Sequence, residues 1–228
     1  MIEITVILPV KNEEEGIGAV IAQLKDLNPA ISNIIVIDGK SKDETKEIAE
    51  DLGAEIFGGE GQGKGGDLRL FLEKHDVDDS DIYVMMDGDG TYDPKDLVHL
   101  IQPIIENYAD VVMGNRIKEL MEQGAMSRCR YFGNRLLTFI AKLLYWEWDL
   151  KDLCTGYWAF SSKALKNITI TAEGFDLEAN LFSYFVKSNY RIIPVPIHYR
   201  GRIGDSKSKL KCCLDGWKIF SRIIKDRF

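Results

Sequence analysis

Asp87 and Asp89 stand on either side of Gly88, directly after the apolar run that ends at Met86. Alternation along a strand would send both carboxylates to the same side. Carboxylate oxygens together with a diphosphate are the ligands a hard divalent ion takes, which makes metal binding one chemistry to expect. The same three residues also spell a polar turn, since Asp-Gly is a favoured turn pair. Asp38 closes a second apolar run and precedes Gly39. A lone carboxylate there suits a nucleobase N–H or a ribose hydroxyl, and it equally suits a cap or turn. A glycine cluster, Gly58–Gly66, holds one basic residue, Lys64. Gly58 to Lys64 has the spacing of a P-loop, but Gly65 stands where that loop needs a hydroxyl for its metal. Gly61, Gly63 and Gly66 have dinucleotide-loop spacing, yet they follow the third predicted strand rather than the first. The remaining readings are a plain loop before a helix, or a loop whose Lys64 faces a bound phosphate.

These residues sit where an alternating pattern would place them. Short β-branched runs predict strands at Ile4–Leu8, Asn33–Ile37, Ala54–Phe57, Asp81–Met86 and Asp110–Met113. Helical spacing predicts helices over Glu14–Leu27, Asp43–Leu52, a stretch beginning near Asp67, and Pro94–Glu106. Strands alternating with helices imply an α/β fold with a mainly parallel sheet. Ligands of such sheets bind beyond the carboxyl ends of the strands, and Pro9, Asp38 and Asp87 all lie just past strand ends. The remainder is less regular, with helices predicted at Tyr131–Trp148, Phe175–Lys187 and Leu214–Lys225 and strands at Tyr157–Phe160 and Ile192–Val195.

The 228 residues fit one domain, and 45% apolar content supplies a sizeable core. The net charge of −7 argues against a protein that coats nucleic acid. Residues 1–110 carry 9 Lys and Arg against 25 Asp and Glu, whereas residues 111–228 carry 20 against 11. An acidic front suits a metal ion and a basic back suits phosphates or an anionic membrane, although two solvated faces would look the same. Cys129, Cys154, Cys212 and Cys213 form no C-x-x-C pair, which fits a reducing cytosol better than a zinc site. The N-terminus lacks a signal-peptide layout, and no run of about 18 apolar residues encodes a transmembrane helix.

Taken in order, the motifs resemble a known family. Ile7 to Glu13 looks like its opening strand and P-x-x-N-E turn, and Ile37 to Asp43 like its D-[DG]-x-S-x-D segment. Gly63–Gly66 matches its G-K-G loop, Asp87–Asp89 its D-x-D, and Gly114–Arg116 its G-x-R. Asp152–Tyr157 matches D-x-x-[ST]-G-[FY], and Arg202–Lys207 lies in an R-x-G-x-S-K segment. The family is the inverting family 2 glycosyltransferases of A-type fold, and the likeness to dolichyl-phosphate mannose, glucose and N-acetylglucosamine synthases runs from about Ile4 to Trp217.

The resemblance implies a single glycosyltransferase domain, with residues 1–116 binding a nucleotide-diphosphate sugar and 117–228 facing acceptor and membrane. It implies that Pro9, Lys11, Glu13, Ile37 and Asp38 hold base and ribose, with Lys64 and Gly88 also lining the donor site. It places Mg2+ or Mn2+ on Asp87 and Asp89, against the diphosphate, and phosphate groups on Arg116, Arg202 and Lys207. Thr91 stands where the mannose synthases usually carry Gln, and Lys11 where they often carry Tyr; both departures favour a UDP-sugar over GDP-mannose. The acceptor expected is a polyprenyl or dolichyl phosphate. The alternative is a hydroxyl acceptor in surface-polysaccharide synthesis, with Asp152 as base; Asp152 would otherwise cap the Thr155-Gly156 turn. A non-catalytic nucleotide binder is a third reading.

A peripheral position on the cytoplasmic membrane face is also expected. Trp217, Phe220, Ile223 and Ile224 recur at helical spacing among Lys218, Arg222 and Lys225. Leu136, Leu137, Phe139, Ile140, Leu143, Leu144, Tyr145 and Trp146 form a second apolar helix behind Arg128, Arg130 and Arg135. Such helices lie in the membrane interface, or else pack on the domain's own core.

Overall fold

Alternate residues of each central strand are sent to opposite faces of a sheet, and here both faces are covered. In the computed structural model, which describes residues 2–77, 82–204 and 209–228, seven strands form one sheet in the order β3-β2-β1-β4-β6-β5-β7. They are β1 (Ile4–Val10), β2 (Asn33–Asp38), β3 (Glu55–Gly58), β4 (Ile82–Met85), β5 (Val111–Met121), β6 (Trp158–Ser161) and β7 (Ile192–Tyr199). Ile7, Ile35, Tyr83, Met85 and Trp158 enter one apolar core. Val6, Leu8, Val36, Val84 and Ala159 enter the other. Burial on both sides explains why these strands read as unbroken apolar runs.

The first core is closed by α3 (Lys64–Lys74), α5 (Arg128–Tyr145), α7 (Leu177–Lys187) and α8 (Cys212–Arg227). The second is closed by α1 (Glu14–Lys25), α2 (Thr45–Asp51) and α4 (Leu97–Ile105). A short helix, α6 (Ser162–Lys166), follows β6. The mainly parallel sheet is as expected, with one exception: β6 runs antiparallel to both β4 and β5.

Three boundaries depart from the expected ones for physical reasons. β1 continues through Pro9, because its pairing with β4 ends at Ile7 opposite Met85 and no neighbour on that side needs an N–H from Pro9. β5 extends to Met121, far beyond the apolar stretch ending at Met113, because its polar half pairs with the edge strand β7. β7 in turn tolerates Pro194 and Pro196 by having a neighbour on one side only. Helix α5 starts and ends about three residues earlier than its apolar pattern indicated. Ser127 caps it by accepting from Arg130 N, and Trp146 ends it with φ of 60°. The predicted start of β4 at Asp81 lies outside the described residues.

Candidate active site

Parallel β1, β2 and β4 deliver Pro9, Ile37 and Asp87 to the same edge of the sheet. There they border a cavity of about 390 Å³ with Lys11, Glu13, Lys64, Gly88, Asp89 and Arg202. A second cavity, of about 470 Å³, is lined by Arg116, Arg130, Tyr92, Tyr199, Leu137 and Ile219 among others. The two share Lys64, Asp87, Asp89, Phe175 and Arg202. The D-x-D carboxylates therefore stand at the junction of two chambers, one built from the strand ends of the front half, the other walled by α5, α8 and the end of β7.

At this junction each carboxylate is matched by a cation. Lys64 Nζ donates to Asp87 Oδ1 at 2.6 Å and to Glu178 Oε1, on α7, at 2.8 Å. Burial opposes the charge of Lys64, but Asp87 and Glu178 outweigh it and hold the ammonium well above its ordinary pKa. Arg202 reaches Asp89 Oδ2 at 2.7 Å and Glu13 Oε2 at 3.0 Å. Burial, and then the neighbouring Asp87, push the Asp89 carboxyl up, while Arg202 and Thr91 pull it back. Thr91 donates to Asp89 Oδ1 through both its backbone N–H and its hydroxyl, at 3.0 and 2.6 Å, and so fixes that carboxylate's orientation.

The D-x-D pair suits a hard divalent ion that keeps few protein ligands. Asp87 is 32% exposed at the side chain and faces both chambers. Among the described residues no group of three or more His, Cys, Asp or Glu could cage an ion. One or two carboxylates completed by phosphate oxygens and water is the habit of Mg2+, so the donor set fits an ion that arrives with a diphosphate.

In the second chamber Arg116 is buried and its guanidinium is held by Asp152, with Nε to Oδ2 at 2.6 Å and Nη2 to Oδ1 at 2.7 Å. Asn134 donates to the same Oδ1 at 2.7 Å. Asp152 thus has both oxygens engaged and lines neither chamber. Burial works against the Arg116 charge and Asp152 more than compensates, so Arg116 stays a cation. Its guanidinium also lies over the Tyr199 ring, 5.2 Å from the centroid.

Other expected residues have duties of their own. Asp38 uses its carboxylate to accept Ser41 N at 3.1 and 3.2 Å and does not line either chamber, although Ile37 and Gly39 beside it line the first. Glu13 is not open to a ribose in this arrangement: Arg202 and Lys209 hold it, the latter at 2.5 Å. The glycine loop is not a phosphate cradle. The amides of Gly65 and Gly66 donate to Glu173 O, and those of Glu60, Gly61 and Gln62 to Asp67 Oδ1. A Cβ at Gly63 would lie 2.5 Å from Glu173 O, at a φ of 99°, so this loop needs glycine to close on the 172–174 segment. Lys207 lies outside the described residues.

Sequence reasoning missed Glu178, Asn134, Asp67 and Lys209. Glu178 carried a usable signal, as a charged residue within the apolar stretch Leu177–Phe182, since buried charges are paired. Asn134 and Thr138 repeat one helical turn apart on α5, and both serve the 152–154 turn: Thr138 accepts Leu153 N and Asn134 accepts Cys154 N.

Known proteins resemble this chain in fold and in sequence. A solved glucosyl-3-phosphoglycerate synthase from Mycobacterium tuberculosis, in complex with Mn2+, UDP and glucosyl-3-phosphoglycerate, superposes with a TM-score of 0.76 over 98% of this chain and 79% of its own, at 21% identity. Glycosyltransferase AglJ of Haloferax volcanii is 33% identical over 97% of this chain and 71% of its own length. The UDP-N-acetylglucosamine–dolichyl-phosphate N-acetylglucosaminyltransferase of Methanococcus voltae is 31% identical over 97% and 94%. The family model of glycosyl transferase family 2 matches residues 5–169, a span that includes the strand ends at Pro9, Ile37 and Asp87, the D-x-D carboxylates and the Arg116–Asp152 pair, and the chain belongs to that family of glycosyltransferases.

Proposed function

We propose that the protein transfers a sugar, with inversion at its anomeric carbon, from a nucleotide-diphosphate sugar to a polyprenyl phosphate such as dolichyl phosphate. The nucleotide occupies the strand-end chamber and the acceptor the second one, so that the diphosphate and the incoming oxygen meet at Asp87 and Asp89. The observation that carries this reading is the charge arrangement of the second chamber. Among its described lining residues Arg116 and Arg130 are the cations beyond the junction, while every carboxylate is already paired: Asp87 and Glu178 with Lys64, Asp89 with Arg202. With Asp87 and Asp89 given to the ion and Glu178 to Lys64, no carboxylate of the described lining is left over, and a hydroxyl acceptor needs a general base. A phosphate monoester does not, because with a second pKa of ~6 it is already anionic near pH 7.

Asp152 is then the partner that keeps Arg116 in place. Arg202, and Lys207 by resemblance, meet phosphate groups as charge builds on the leaving diphosphate. A divalent ion on Asp87 and Asp89 would supply Lewis-acid stabilisation of that charge. A UDP-sugar is the favoured donor and GDP-mannose the second choice. Thr91 and Lys11 support this, as does the donor named for the Methanococcus voltae relative.

The acceptor's chemistry asks for a membrane surface, and α5 supports one. Phe132, Leu136, Phe139, Leu143 and Trp146 recur along its outer face and are 46–71% exposed, with Leu214 and Trp217 of α8 also exposed. The inner faces of the same helices go to the core: Leu137, Tyr145 and Ile223 are buried and so do not contact lipid. Among the described residues no helix is long and apolar enough to cross a membrane, so the contact proposed is peripheral, with Arg128, Arg135 and Lys218 beside the apolar face.

The test is transfer of labelled sugar from UDP-N-acetylglucosamine, UDP-glucose or GDP-mannose, with Mn2+, to polyprenyl phosphate and, in parallel, to polyprenol. Transfer to the phosphate alone supports the reading. Transfer to the alcohol alone would replace it with the hydroxyl-acceptor reading. Flotation with anionic liposomes tests the surface: binding should weaken with salt and fall when Phe139 and Trp217 are both changed to Ser.

A further inference from the structure

Both metal-site carboxylates are covered by a cation that has a second carboxylate behind it. The chain Asp87–Lys64–Glu178 joins the end of β4, the start of α3 and α7, across 114 residues between Lys64 and Glu178. Asp89–Arg202–Glu13 repeats the pattern on the other carboxylate. The Lys64 ammonium is enclosed: its side chain is 13% exposed and that of Glu178 10%. The backbone at Gly156 lies close against the pair, where a Cβ would lie 2.7 Å from Asp87 Oδ2 and 3.0 Å from Lys64 Nζ.

A divalent ion on Asp87 would find its carboxylate already claimed by a positive charge 2.6 Å from Oδ1. Like charges that close repel, and the repulsion grows as water is excluded. An ion entering at Asp87 therefore weakens the hold of that carboxylate on Lys64. A buried ammonium that loses its only partner is heavily penalised, but Lys64 has two. We propose that Glu178 is the positioning residue that takes over Lys64 when the ion binds Asp87. Lys64 thereby competes with metal in the ligand-free enzyme, and remains at the junction to face the donor's diphosphate once metal and donor are in place. The proposal deepens the metal-dependent reading and rests on it.

In the double variant, though not in the single one, the handover predicts what a simple sum of charges does not. In Glu178→Gln the ammonium has only Asp87 to hold it, so Mn2+ without nucleotide should bind at least about threefold more weakly than to the wild type. In Lys64→Met/Glu178→Gln the competitor is gone and no buried charge is orphaned. Mn2+ should then bind at least about threefold more tightly than to the wild type. Removing one positive and one negative charge together would, by charge summation, leave affinity unchanged.

The readout is free Mn2+ followed by electron paramagnetic resonance during titration, with thermal melting to establish that each variant is folded. Weaker binding by the single variant together with tighter binding by the double variant supports the handover. A double variant that binds like the wild type or more weakly, or a single variant indistinguishable from the wild type, overturns it. If the wild type binds no Mn2+ even with UDP present, the metal-dependent reading itself fails, which is a different result from a wild type that binds and variants that do not diverge.

Discussion

The two chambers are built by different means. The strand-end chamber takes its residues from positions fixed by local rules: a strand stops, the chain turns, and Pro9, Ile37 or Asp87 is left at the rim. The second chamber is set by ion pairs between distant segments, with Arg116 meeting Asp152 across 36 residues and Lys64 meeting Glu178 across 114. Glu13 and Arg202, 189 residues apart, stitch the two chambers together. A site made by sheet geometry tolerates changes in its neighbours, because backbone hydrogen bonds hold it. A site made by buried pairs does not, since removing one partner strands the other's charge.

The largest expected effect lies where the chambers meet. Asp89→Ala removes a metal carboxylate and the Arg202 partner together, and turnover should fall by at least about a thousandfold, on the scale of losing a main electrostatic stabiliser of the transition state. Chelation with EDTA should reproduce the loss in the native enzyme and added Mn2+ should restore it. Full activity in EDTA would remove the ion from the scheme and leave Arg202 and Lys64 to stabilise the leaving group.

Asp152→Asn probes the second chamber directly. An amide can accept one of the Arg116 hydrogen bonds but cannot neutralise the guanidinium, and breaking a buried pair costs about 3 kcal/mol. For a chain of this length that is a loss of roughly 6–12 °C in Tm. The KM for polyprenyl phosphate should rise about tenfold, with kcat less affected, because Arg116 loosens while no base is lost. A collapse of kcat with KM and Tm unchanged would identify Asp152 as the base and favour the hydroxyl acceptor.

The same contrast explains what the sequence could reveal. Apolar runs and the residues ending them are local, so the α/β pattern, the strand ends and the D-x-D junction were legible. Asn134 was not read, because its role exists only once α5 lies against the 152–154 turn, and Glu178, although marked as a charge in an apolar stretch, acquires its partner Lys64 only once α7 meets the start of α3. The antiparallel β6 was equally hidden: Trp158–Ser161 has the composition of any buried strand, and direction is decided by the chain's route between β5 and α6. The polar half of β5 was missed because Lys118, Glu119 and their neighbours offer little apolar signal, while pairing of Asn115, Arg116 and Met121 with β7 on either side of an irregularity carries the strand through them. On α5 the apolar residues were recognised, but apolarity alone could not separate the inward Leu137 and Tyr145 from the outward Leu136 and Phe139.

A smaller effect is expected at the stitch itself. Arg202→Ala leaves the strand ends in place but takes away a residue that lines both chambers, and it frees Asp89 and Glu13, the latter still holding Lys209. Its kcat/KM should drop at least tenfold, about 1.4 kcal/mol, through lost stabilisation of the leaving diphosphate. If kcat/KM is unchanged while Tm falls, Arg202 is a structural tie and the chambers do not share it in catalysis.

The smallest effect sharpens the comparison by using an Arg–Asp pair outside both chambers. Arg191 and Asp110 have the same two-pronged geometry as Arg116 and Asp152, with Nε to Oδ2 at 2.9 Å and Nη2 to Oδ1 at 3.0 Å, but the arginine is half exposed. The pair joins the chain just before β5 to the chain just before β7. The hydrogen bond from Arg191 holds the Asp110 carboxyl below its ordinary value, against a smaller opposing effect of burial. A carboxyl depressed in the folded state adds stability that is complete above its unfolded pKa of about 3.9 and is lost as pH falls through the lower folded value. Asp110→Asn should therefore lower Tm slightly at pH 7, by far less than Asp152→Asn, and the gap to wild type should close as pH falls below about 4. Melting curves across pH 3 to 7, at low and high salt, check this. A loss as large as that of Asp152→Asn would mean that position in the sheet, and not burial of the pair, decides what such a contact contributes.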